Sequence, residues 1–138
     1  MTALFFDRED HGNCLNGTVV HDKGQLFQAL KTLQDRPPFD FELVSDKGFR
    51  LLIGMGKQGC AQYSRRDREP PYMMAVDQGK EREKGYIEFL DGGTPSPVSK
   101  YYCMPFDIVR EIAGYFVETG RMYPAVAWEE FDPKTLAD

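Results

Sequence analysis

Hydrophobic residues recur along the chain with two periods, and the switches between them mark out its elements. Leu15 to Val20 ends in a β-branched run and reads as a strand. Asp22 with Gln25 three positions on has the form of a capping box. Leu26, Phe27, Leu30 and Leu33 then fall on one stripe at helical spacing, with Lys23, Lys31 and Gln34 outside it. Pro37-Pro38 closes this helix, because proline has no N–H to continue the ladder. From Phe39 the period drops to two. Phe39, Phe41 and Leu43 alternate with Asp40, Glu42 and Val44, which predicts a strand buried on one face. Phe49–Ile53, Cys60–Tyr63, Tyr72–Val76 and Tyr86–Leu90 read as further strands, the middle pair parted by Pro70-Pro71. Asp91 to Pro97 is rich in Gly and Pro and predicts a loop, with Val98–Cys103 as a strand behind it.

Pro105 is placed to open a second helix as its first residue. Ile108, Val109, Ile112, Ala113 and Phe116 form its buried stripe, and Gly120 stands where a left-handed cap belongs. Pro124–Trp128 reads as a closing strand. The fold class that follows is α+β: a mainly antiparallel sheet of about six or seven strands with two helices on one face. At 138 residues the chain fits a single domain, residues 1–138, large enough to bury a core without staples.

Composition narrows the function classes. A net charge of −5 disfavours generic nucleic-acid binding, which needs clustered Lys and Arg. The acid is concentrated late: Pro105 to Asp138 holds seven acids and three bases, a balance of −4. No apolar run reaches the roughly 20 residues of a membrane span, and the first ten residues lack the pattern of a signal peptide. A cytoplasmic protein is expected. Cys14, Cys60 and Cys103 are odd in number and widely spaced, which fits free thiols better than a disulfide framework or a metal site.

Candidate chemistry is sparse. Gly54-Met55-Gly56-Lys57-Gln58-Gly59 matches the glycine spacing of a dinucleotide loop, but Cys60 to Ser64 alternates like a strand where that motif needs a helix. A hairpin turn is the better account. His11 and His21 lie in polar segments, and no nucleophile-elbow motif surrounds any Ser or Cys. Arg65, Arg66 and Arg68 form a basic spot diluted by Asp67 and Glu69. Trp128, the sole tryptophan, reads first as a core anchor and second as a binding hot spot. These features favour binding over catalysis, with no cofactor and no metal. A small-ligand or regulatory module built on the Gly54–Gly59 turn, or a small enzyme without an evident motif, remains the alternative.

The segment Arg110-Glu111-Ile112-Ala113-Gly114-Tyr115-Phe116-Val117-Glu118-Thr119-Gly120-Arg121, followed by Pro124-Ala125-Val126-Ala127-Trp128, resembles the closing signature of a bacterial immunity-protein family, the first numbered in polymorphic toxin systems. Gly59-Cys60-Ala61-Gln62-Tyr63 and Gly92-Gly93-Thr94 are further points of likeness. The resemblance implies an α+β protein that binds and neutralises a cognate toxin, a nucleic-acid deaminase or a nuclease, by occluding its active site or substrate groove. It implies a basic partner domain, with no direct contact to nucleic acid or membrane. Glu118, Gly120, Arg121, Pro124 and Trp128 would support the fold. Glu81, Glu83, Glu88 and Asp91, with Tyr101 as an aromatic anchor, are the expected toxin contacts.

Overall fold

The computed structural model describes residues 3–78 and 83–132. In chain order the elements are β1 (Ala3–Asp7), β2 (Thr18–Val20), α1 (Lys23–Lys31), β3 (Phe39–Ser45), β4 (Phe49–Met55), β5 (Gln58–Arg65), β6 (Tyr72–Val76), β7 (Tyr86–Asp91), β8 (Thr94–Ser99), a 3-10 turn (Lys100–Tyr102), β9 (Met104–Pro105), α2 (Phe106–Thr119) and β10 (Ala127–Phe131). The main sheet runs β10-β6-β5-β4-β3-β1-β2, and all of these neighbours are antiparallel. The β7–β8 hairpin joins it through one parallel pairing, Phe39 with Leu90.

Ten strands replace the six or seven expected from the sequence. The run Ala3-Leu4-Phe5-Phe6-Asp7 gives no alternation in its residue types, yet it pairs along its whole length with β3 and buries alternate positions. The predicted loop after Asp91 is a tight turn at Gly92-Gly93, both at positive φ, leading into β8. Strand β8 tolerates Pro95 and Pro97 because it is an edge strand, where alternate amides face away from the partner. The strand expected to run to Cys103 instead ends at Ser99 and tightens into the 3-10 turn, whose Tyr101 N–H bonds the Ser99 side chain. The closing strand is displaced from Pro124–Trp128 to Ala127–Phe131. Pro105 precedes the second helix rather than opening it.

The start of α1 and the end of α2 follow the sequence closely, whereas α1 ends at Lys31, ahead of Leu33 and of the Pro37-Pro38 pair expected to close it. The Asp22 carboxylate accepts from Gln25 N–H at 2.9 Å, which satisfies one orphan donor of the first turn, and the Gln25 side chain accepts from His21 N–H at 2.7 Å, just ahead of the cap. Gly120 caps α2 at φ 71°, a left-handed geometry that a Cβ would strain.

The sheet carries two cores. Phe5, Phe41, Leu43, Leu51 and Ile53 share the larger one with Leu26 and Leu30 of α1 and Val109, Ile112 and Phe116 of α2. Cys60, Met74, Phe89 and Cys103 form the smaller one, with Ile87 and Val98 of the hairpin against it. Along β5 and β6, Cys60 and Met74 of the smaller core alternate with Ala61, Tyr63 and Ala75 of the larger. Strand β3 buries Asp40 and Glu42 on the face opposite its Phe and Leu residues, so it is buried on both sides and not half-buried as its pattern suggests. At the helix crossing, a Cβ on Gly114 would sit 3.0 Å from the Lys23 Cβ and 3.3 Å from the Phe27 ring.

The glycine motif is explained by packing. Gly56 and Lys57 form the β4–β5 turn, as the hairpin reading requires, and Gly59 lies in a strand. A Cβ on Gly54 would meet the Phe89 ring at 2.8 Å, and one on Gly59 the Gly54 carbonyl at 2.5 Å and the Phe106 ring at 2.9 Å. These glycines admit the hairpin on one face and the start of α2 on the other. Gly59→Ala is therefore expected to lower the urea midpoint, with a loss of about 1–3 kcal/mol typical of overpacking. An unchanged midpoint would rule out this packing role.

Candidate functional site

The hairpin covers only half of its face of the sheet. Phe89 is fully buried there, and the space beneath the hairpin is a cavity of about 110 Å³ whose lining includes Asp40, Cys60 and Gln62. Toward β1 and β2 the same face opens into a cleft of about 570 Å³. Leu4, Phe6 and Val44 supply its apolar lining, and its polar part joins Arg8, Arg66, Arg68 and His11 to Asp7, Asn16 and Glu42. The apolar row runs on to the free edge of the sheet: Leu4 stands between Val44 and Val19 in register, and Val19 is 48% exposed.

Glu42 is the electrostatic centre of this cleft. It is only 4% exposed, and three guanidiniums converge on it: Arg50 at 2.7 Å, Arg8 at 3.1 Å and Arg68 at 3.6 Å. Arg8 also reaches Asp91 at 3.3 Å, which ties β1 to the end of β7. Arg50 is itself buried, and its Nε has no hydrogen-bond partner. Arg68 has a left-handed backbone at φ 67°, unfavourable for a residue with a Cβ. Its N–H bonds Arg65 O, and its carbonyl accepts from the Tyr72 hydroxyl. The β5–β6 connection is thus built to hold this side chain over Glu42.

Two further buried acids flank the cleft. Burial pushes the Asp7 carboxyl up, but hydrogen bonds from Arg36, Asn13 and the Asp10 N–H outweigh it and hold the group below the usual carboxylate range. Asp40 has no such compensation. Burial, reinforced by the charge of Asp91 and opposed by Arg8, raises it to about 7.

A second cluster centres on Tyr63. Its ring stacks on Phe49 and meets Phe116 and Trp128 edge-on, and its hydroxyl donates to Gly120 O at 3.0 Å. The Trp128 indole N–H donates to Tyr123 O at 2.9 Å. Tyr63 is far in the chain from Gly120 and Trp128, yet the three join β5, the α2 cap and β10 at one point. Residues 15–130 match the family described as Immunity protein Imm1. The chain belongs to that family. No curated protein and no solved structure matches it.

In this Imm1-family chain the signature residues sit at structural joints. Glu118 accepts from Lys23 N–H at 3.4 Å, placing a carboxylate at the N-terminus of α1, where the helix dipole favours it. The Arg121 N–H bonds the Thr119 side chain, and Arg121 and Pro124 are exposed in the turn before β10.

The expected contact residues do not form one cluster. Glu81 lies outside the described residues. Glu83 is exposed just before β7, and Glu88 is exposed within it, paired across the hairpin with Pro97. Asp91 is engaged by Arg8, and the Tyr101 hydroxyl bonds the Glu129 carboxylate. The basic spot looked diluted along the chain, but Asp67 pairs with Arg65 and leaves Arg66 and Arg68 to the cleft.

Little here resembles a reaction centre. Among the described residues no group of three His, Cys, Asp or Glu could hold a metal. Cys60 is fully enclosed, and burial pushes its thiol well above the ordinary value, away from the nucleophilic thiolate form. His21 is exposed beside the α1 cap, and His11 stands at the rim of the cleft near Gly92. Among the described residues no helix is long and apolar enough to cross a membrane.

Proposed function

We propose that the protein is an immunity protein that binds and neutralises a bacterial toxin domain in the cytoplasm, by occlusion and without chemistry of its own. The family match over residues 15–130 carries this reading. The toxin is a basic, nucleic-acid-acting domain, a deaminase first and a nuclease second, whose substrate groove the protein covers. A net charge of −5 supports capture of such a domain by long-range attraction. Glu83 just before the hairpin and Glu88 on it supply exposed acid for the contact, with Glu81, Asp91 and Tyr101 as further contacts.

Co-expression with the toxin encoded beside it tests this function. Cells carrying the toxin alone are expected to die, and cells carrying both to grow. Equal death in the two cultures would defeat the immunity reading. Catalysis would be favoured instead if His11→Ala, His21→Ala abolished protection while fold and toxin affinity stayed intact.

A further inference from the structure

We propose that the arginine-framed cleft over β1 and β3 is part of the docking surface and receives a carboxylate-bearing, partly apolar segment of the toxin. This assignment rests on the immunity reading and adds to it the chemistry of one contact.

The local charge runs against the charge of the whole chain. Arg8, Arg66 and Arg68 contribute +3 to the lining of the cleft and Asp7 and Glu42 contribute −2, an excess of +1 in a protein of net −5. Asp7 is itself matched by Arg36, and Asp67 nearby by Arg65. One carboxylate, Glu42, is shared by three guanidiniums, so donor capacity exceeds what the fold consumes. Arg66 makes no ion pair among the described residues. An incoming carboxylate would therefore meet guanidinium donors that the fold leaves unused, and arginine is the side chain best suited to planar, bidentate recognition of a carboxylate.

The apolar part selects against a simple ion. Leu4, Phe6 and Val44 floor the cleft, and the row continues to the exposed Val19 at the sheet edge. A segment that placed an acid over Arg66 and Arg68 would lay its neighbouring apolar side chains along this row. The cleft also adjoins the hairpin through the Arg8–Asp91 pair. A toxin spanning both would meet acid on the hairpin and base in the cleft, a mosaic that fixes register and rejects non-cognate toxins.

The test measures binding of the neighbouring toxin domain, carrying an inactivating substitution, to the full chain. An Arg66→Glu, Arg68→Glu variant is expected to bind at least about tenfold more weakly. Its circular dichroism and melting temperature should match the parent. Lys31→Glu, Lys57→Glu makes the same charge change at exposed positions outside the cleft and should bind within about twofold of the parent. Equal affinity of the arginine variant and the parent would overturn the cleft while leaving the immunity reading intact. No binding by the parent itself would overturn both. Should the arginine variant fold poorly, deuterium exchange on the parent complex answers the same question. Slowed exchange across residues 65–69 is expected, and unchanged exchange there overturns the proposal.

Discussion

Glu42→Ala is expected to destabilise the protein by about 3–5 kcal/mol, because it leaves a buried guanidinium without its counter-charge. Arg50 is the reason the loss is large. Its side chain is buried on β4, and among the described residues its only ion pair is with Glu42 at 2.7 Å and its Nε has no hydrogen-bond partner. Arg8 keeps Asp91 as a second partner, and Arg68 is exposed enough to turn to water. A loss of that size is comparable with the whole stability of many domains. Removing the second charge as well should restore much of it, since an apolar pair carries no desolvation cost. A Glu42→Leu, Arg50→Met pair is thus expected to be more stable than Glu42→Ala alone, measured by urea denaturation as a double-mutant cycle. A Glu42→Ala midpoint close to the parent's would mean that Arg50 is not held by this carboxylate.

Asp40→Asn is expected to act in the opposite direction and only above acid pH. The folded carboxyl titrates near 7 against an ordinary value of 3.8, because burial and the charge of Asp91 oppose ionisation. The folded state therefore holds a proton that the unfolded state has released across that interval. Stability then falls as pH rises from about 4 to about 7 and is level beyond it. Asparagine removes this slope. The gain above pH 7 is bounded by the shift, about 4 kcal/mol at most. Urea midpoints of both proteins between pH 4 and 8 check the expectation, and the difference between the two curves isolates Asp40 from the other titrating groups. Curves that stay parallel would exclude a raised Asp40.

Local rules determined a good part of this protein from its sequence. Asp22 and Gln25 marked the start of α1 because their side chains bond backbone groups within a few residues of themselves. Gly120 marked the end of α2 because a left-handed residue is a local requirement. The strand after Gly59 excluded a dinucleotide loop, and the segment from Arg110 to Trp128 pointed to the family that residues 15–130 match. Each of these depends on neighbours in the chain.

Tertiary structure alone decided what depends on distant pairing. Asp40 and Glu42 alternate with apolar residues and read as solvent-facing, yet both are buried, because Arg8, Arg50 and Arg68 come from three other segments to meet Glu42 and the β7–β8 hairpin folds over Asp40. Strand β1 has no alternating pattern of its own and becomes a strand through β3. The arginine cleft joins residues some 60 positions apart, and the signature glycine and tryptophan are tied to β5 only where Tyr63 touches both. Periodicity reports which face of an element avoids water. It does not report what a second layer and opposite charges will cover on the other face, and that is where the candidate site lies.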